Sequence, residues 1–170
     1  MAKKTSLRDF QHYLAGRLST AAQGERAVSW LGVQAGDEAW LIDLADSGEI
    51  IQAPQVTPVP LTQPWFAGIA NIRGSLFAVA DFSAFCGGRP GNINANSRLL
   101  LVGNKFGSNA ALLVTQMLGL RNPDDFMPAT EDTALPSWGK HCYEDGQGKR
   151  WHKLSVRELL ADDQFMNIGA

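Results

Sequence analysis

The chain has 170 residues, 45% of them apolar, which suits one domain, or one domain built of two small lobes, with a sizeable core. A net charge of −2 sets up no strong field, which disfavours nucleic acid or an anionic membrane held by charge alone. Cys86 and Cys142 match no zinc or redox spacing, the start "MAKKTSLRDFQHYL" lacks the apolar run of a secretory signal, and no segment approaches the roughly 20 apolar residues that cross a bilayer, so a soluble cytoplasmic protein with reduced thiols is expected.

In chain order, Leu7, Phe10, Leu14 and Leu18 recur at spacings of 3, 4 and 4. With Ser6 as N-cap they predict an amphipathic helix of about 15 residues. The small, polar stretch "STAAQGERA" then reads as a linker. From Val28 the texture changes to short apolar runs separated by Gly, Asn and Asp. "AVSWLGVQ", the turn "GDE" and "AWLIDLADS" predict a hairpin. Pro54, Pro58, Pro60 and Pro64 forbid a helix or a central strand, so an extended crossing or edge segment is expected there.

"GIANIRGSLFAVADF" follows, with Asn71 and Arg73 inside an otherwise apolar stretch. Strand periodicity places Ile69, Asn71 and Arg73 on one face and Ala70 and Ile72 on the other, with a turn at Gly74 and Ser75. The return segment Leu76–Phe82 is nearly continuous apolar, the pattern of a strand buried on both sides. On pattern alone Arg73 reads slightly more readily as a solubilising charge than as a contact. Further strands are predicted at "RLLLVG" (Arg98–Gly103) and "AALLVTQM" (Ala110–Met117), and two more flank the Gly-rich turn of "YEDGQGKRWHKLSV". "SVRELLADD" reads as a short closing helix. Many short strands after one helix predict an all-β protein, a barrel or a pair of barrels.

Catalytic chemistry is sparse. His141 adjoins Cys142, and neighbours on a strand point to opposite faces, so with His152 ten positions further on they make no metal site. Nothing local marks Cys86 or Cys142 as an activated thiolate. The acid pairs Asp124–Asp125 and Asp162–Asp163 sit in polar stretches and read as turn and cap residues. No phosphate-cradling Gly-rich loop is present. No enzyme activity, metal or cofactor is expected. The alternative is a small β-barrel that stacks single-stranded nucleic acid on tryptophans. Only "GKRWHK" joins bases to an aromatic, and a solvated hairpin with one packed tryptophan explains it better.

"PWFAGIANIRGSLFAVADF" resembles the signature of CheW-like chemotaxis coupling proteins: a Gly, then Asn-x-Arg-Gly, then an apolar strand ending in Asp. "WLGVQAGDEAWLIDLADSGEII" resembles the opening hairpin of that family and the approach to its Glu-Ile pair, here Glu49 and Ile50. "RLLLVGNKFGSNAALLVTQMLGLRNPDDF" resembles its central hairpin and "DGQGKRWHKLSVRELL" its closing strand and helix. "SLRDFQHYLAGRLSTA" lies outside the general coupling domain. With the divergent middle, it is similar to the branch of the family that serves type IV pilus twitching motility.

The resemblance implies two five-stranded β-barrel lobes around a shared core and no catalysis. It divides the chain into an N-terminal helix and linker (1–24), a CheW-like domain (25–162) and a tail (163–170). It implies binding to the cytoplasmic tip of a methyl-accepting chemoreceptor and to the regulatory domain of a CheA-like histidine kinase, in the cytoplasm at membrane receptor arrays. Receptor contact carries over to Gly68, Asn71 and Arg73, with Ser47 at the facing edge; no kinase contact is carried over. Three departures bear on which receptor is recognised. The family's usual Val-Pro-Val before the Asp is Phe77-Ala78-Val79 here, a common acidic pair is Thr115-Gln116, and Ser47 stands at a usually apolar position.

Overall fold

The computed structural model describes residues 29–170 and, from the N-terminal stretch, Gln11 alone. The amphipathic helix expected there lies outside the described residues. Eleven strands, three short α-helices and three single-turn 3-10 helices follow in the described part. β1 (Trp30–Ala35) and β2 (Glu38–Asp43) form the expected hairpin around Gly36 and Asp37. β3 (Ser47–Gln52) precedes the proline-rich crossing. That crossing touches β4 through one isolated bridge, Thr57 to Ile69, as an edge segment does. β4 (Phe66–Ile72), β5 (Ser75–Asp81) and the helix α1 (Phe82–Phe85) come next. β6 (Arg98–Val102), β7 (Ala110–Val114) and β8 (Gln116–Arg121) lead to β9 (Phe126–Ala129). β10 (Cys142–Asp145), β11 (Arg150–Leu154), α2 (Val156–Leu160) and α3 (Asp163–Met166) complete the chain.

The strands make two sheets. One has six strands in the order β8-β1-β2-β11-β10-β9, the other five in the order β3-β6-β7-β5-β4. Alternate residues of β6 and β7, nearly all buried, face different clusters and show how the sheets pack. Along β6 and β7, Leu100, Val102, Ala110, Leu112 and Val114 face a core shared with Leu31, Val33, Trp40 and Ile42 of the other sheet. The intervening Leu99, Leu101, Ala111 and Leu113 face a second cluster, inside the five-stranded sheet, with Ala70 and Val79. Trp30, Leu41, Phe126 and Trp151 fill a third, inside the six-stranded sheet. A period of two therefore serves three apolar layers, and each fully buried Leu or Val contributes about 1.5–3 kcal/mol.

The two lobes are present, but neither closes as the expected five-stranded barrel. One has six strands, and neither hydrogen-bond ladder joins its ends among the described residues. Consecutive strands β8 and β9 are linked by the turn Pro123–Asp125 instead of by a ladder. The predicted strand Ala110–Met117 also divides, because the chain changes sheet at Thr115. There the Thr115 amide bonds to Gln34 O at 2.8 Å, and its hydroxyl accepts the Gly36 amide at 2.9 Å.

Residues 163–170, read from sequence as a tail, pack into the fold. The Asp162 carboxylate caps α3 and accepts the Trp138 indole N–H at 3.0 Å. Phe165, 6% exposed, stacks on Trp65 at 5.7 Å and meets Phe85 at 5.1 Å. Gly169 bridges Thr62. Phe165→Ala is expected to lower the unfolding free energy by about 3–5 kcal/mol in a guanidinium melt; an unchanged midpoint would make this end of the chain peripheral. Among the described residues no helix is long and apolar enough to cross a membrane.

Candidate partner-binding site

The hairpin of β4 and β5 carries three of the four residues singled out from sequence. Ile72 pairs with Ser75, so the turn is Arg73–Gly74, one residue earlier than expected. Arg73 has φ 52° and Gly74 φ 85°, positive at both central positions as a two-residue turn matching strand twist requires. Glycine enters this region freely, whereas arginine does so rarely, and such backbone strain concentrates at functional sites.

The side chains then explain the placement. Asn71 Oδ1 accepts the Gly74 amide at 3.0 Å and ties the turn shut. Arg73 leaves the strand face and forks onto Glu49 of β3, with Nη1 to Oε2 at 2.6 Å and Nη2 to Oε1 at 2.5 Å. Hydrogen bonding to Glu49 and its charge hold the Arg73 guanidinium above the ordinary arginine range. β3 and β4 are the two edges of the five-stranded sheet, so this fork spans its open side. The pair is largely solvated, which makes it a geometric clamp more than a source of stability.

Gly68 is buried, not presented to solvent. Its φ is +137°, and a methyl group there would lie 2.0 Å from the Thr57 carbonyl oxygen. The missing side chain allows the paired bonds between Thr57 and Ile69, both 2.9 Å, that hold the crossing to β4. Ser47 is half-buried, and its hydroxyl donates to Leu44 O at 2.9 Å. It opens the strand that carries Glu49, so the clamp joins its edge to the hairpin. Asp81, which ends the motif, is buried; it accepts Ala84 N at 3.1 Å and Gly91 N at 2.8 Å, capping α1 and anchoring the next loop.

The largest difference from the sequence reading lies on β5. Only Val79, Ala80 and Asp81 are buried, not the whole strand. Leu76 is 60% exposed and pairs with Asn71, while Ala78 is exposed and pairs with Ile69, itself 36% exposed. Paired residues share a face, so Ile69, Leu76 and Ala78 form an apolar outer surface around Asn71. It continues into a groove of about 190 Å³ lined by Ala78, Ala110, Phe165, Met166 and Ile168, among others. The run Leu76-Phe77-Ala78 signals apolarity, but apolarity alone does not say which strand end the second sheet covers.

The tryptophans give no stacking platform. Trp30, Trp40, Trp138 and Trp151 are all buried, and Trp65 packs on Phe85 and Phe165. The acid pairs are turn and cap residues: Asp124 and Asp125 lie in a 3-10 turn, and Asp162 caps α3. Among the described residues no group of three or more His, Cys, Asp or Glu side chains is placed to hold a metal ion.

Two sheets around a shared core, with an Asn-x-Arg-Gly hairpin clamped to the opposite edge strand of one of them, define a two-lobed β fold. The chain matches the CheW-like domain over residues 29–164 and belongs to that family. It is similar to Protein PilI of Pseudomonas aeruginosa, with 28% identity over 103 residues, 59% of this chain and 57% of that protein. The match thus spans little more than half the length of that relative. Its fold is similar to the crystal structure of the scaffolding protein TtCheW from Thermoanaerobacter tengcongensis. The TM-score is 0.67 at 18% identity, covering 81% of this chain and 94% of that one.

Proposed function

We propose that the chain is a non-catalytic adaptor that couples a chemoreceptor to a CheA-like histidine kinase, in the pathway that controls type IV pilus twitching motility. Membership of the CheW-like family supports the coupling role, and the similarity to PilI supports the pathway. The observation that carries the site is the exposed apolar face of the β4–β5 hairpin, set beside a tip locked by Arg73 and Glu49. An amphipathic helical receptor tip fits such a face: apolar anchors enter the groove, and Asn71, Ser47 and the clamp supply a polar rim. Gly68 acts from beneath, by letting the hairpin take its shape. Kinase contact falls to other surfaces, where Leu120 on β8 and Met127 on β9 are exposed apolar residues of the two edge strands. The protein works in the cytoplasm, recruited to membrane-bound arrays.

Charge reversal tests the site. Arg73→Glu and Glu49→Arg, each alone, are expected to reduce capture of a purified receptor tip at least about tenfold and to shift the melting temperature by no more than a few degrees. The combined swap restores the clamp with inverted polarity, so capture is expected to recover. A swap that stays inactive would make the Arg73 charge itself the contact. Wild-type capture by Arg73→Glu would remove this hairpin from the receptor site.

A further inference from the structure

Outside the hairpin, a line of polar side chains crosses three strands of the six-stranded sheet. Glu38 lies on β2, His152 on β11 and Cys142 on β10, neighbours in the order β2-β11-β10. Cys142 pairs directly with His152, and Sγ lies 3.5 Å from Nδ1. On the other side of the ring, Nε2 lies 3.3 Å from Glu38 Oε2. Nδ1 faces the sulfur, Nε2 faces the carboxylate, and the thiol also lies 3.5 Å from the Lys140 carbonyl oxygen, which accepts from it. Trp40 stacks on the imidazole at 4.8 Å and fixes its plane. Arg150, two residues before His152, places Nη2 3.3 Å from the same sulfur and donates to Thr130 O at 2.8 Å.

We propose that Cys142 is a modification site, a thiol that hydrogen peroxide oxidises to sulfenic acid with His152 as the base. The arrangement sets a thiol beside a base, the base beside a carboxylate, and a cation beside the sulfur. His152 Nδ1 takes the thiol proton, and the sulfur then forms a bond to one peroxide oxygen as the O–O bond breaks. The departing hydroxide takes the proton back from Nδ1 and leaves as water. Sulfur is oxidised, the peroxide oxygens are reduced, and thiol plus peroxide gives sulfenic acid plus water.

Cys142 is 3% exposed, and the Arg150 side chain that covers the sulfur belongs to an exposed residue, so peroxide reaches the sulfur by displacing a surface side chain and not a core one. The contact also holds the Arg150 guanidinium above the usual range, chiefly through its hydrogen bond to Cys142. Cys86 is an internal control. Burial, helped by the charges of Glu38 and Asp81, pushes its thiol up to about 12, and no histidine pairs with it among the described residues.

Treating the full chain with hydrogen peroxide and dimedone, then reading each cysteine by peptide mass spectrometry, tests this. Cys142 is expected to label at least about tenfold faster than Cys86, and His152→Gln to slow Cys142 at least about tenfold without changing Cys86. Glu38→Gln alters an exposed side chain that leaves the core intact, and it is expected to slow Cys142 as well. The proposal is overturned if Cys142 labels no faster than Cys86 in the folded protein. It is also overturned if both variants keep the wild-type rate.

Discussion

Leu76→Asp is expected to reduce capture of a receptor tip by about 30-fold or more while leaving the fold intact. Leu76 is 60% exposed, so little core is lost, and a surface substitution of this kind changes stability by no more than about 0.5 kcal/mol. Binding is different. An apolar anchor at the centre of a docking face is commonly worth about 2 kcal/mol or more, which is the 30-fold stated. A carboxylate there must also shed water against apolar partner groups. Isothermal titration with the purified tip, together with a thermal melt, separates the two effects. Leu120→Asp, on an edge strand of the other sheet, is the matched control and is expected to leave receptor capture unchanged. Wild-type affinity for Leu76→Asp would place the receptor on another surface.

Gly68→Ala is expected to act on the fold first and on binding as a consequence. The added methyl meets the Thr57 carbonyl oxygen at 2.0 Å and its carbon at 2.6 Å, both backbone atoms that no side-chain rotation can move aside. The backbone at φ +137° is also closed to alanine. Relief requires breaking the Thr57–Ile69 pair and lifting the proline-rich crossing from β4. A loss of about 3 kcal/mol is expected, a fall of roughly 10 °C in melting temperature. Gly74→Ala isolates conformational strain, because nothing lies within 4 Å of that position. It is expected to cost about 1 kcal/mol. Equal losses for the two variants would mean that the crossing yields freely at Thr57.

These expectations change what Asn71 and Arg73 mean. Read along a strand they are two polar groups offered to solvent; in the structure both are engaged within the protein, Asn71 with the Gly74 amide and Arg73 with Glu49. Under the proposed adaptor role, the surface left for a partner is the apolar one between them and the C-terminal helices. A binding defect on mutating Arg73 therefore reports on hairpin orientation as well as on direct contact, which is why the charge swap carries more information than either single change.

The sequence by itself determined the parts whose causes are local. The continuous apolar runs of β6 and β7, the glycine turns at Gly36 and Gly148, the four prolines of the crossing and the Asn-x-Arg-Gly hairpin are each written in a few consecutive residues. Tertiary structure alone decided what depends on residues far apart. Thr115 changes sheets because its partners, Gln34 and Gly36, arrive from β1 and its turn. Arg73 finds Glu49 24 positions earlier because the five-stranded sheet curls its edges together. His152 meets Cys142 because β10 and β11 pair in that register, and residues 163–170 fold because Trp65 and Phe85 wait for Phe165. A period of two records which residues share a face of a strand; it carries no information about which other strand that face will meet.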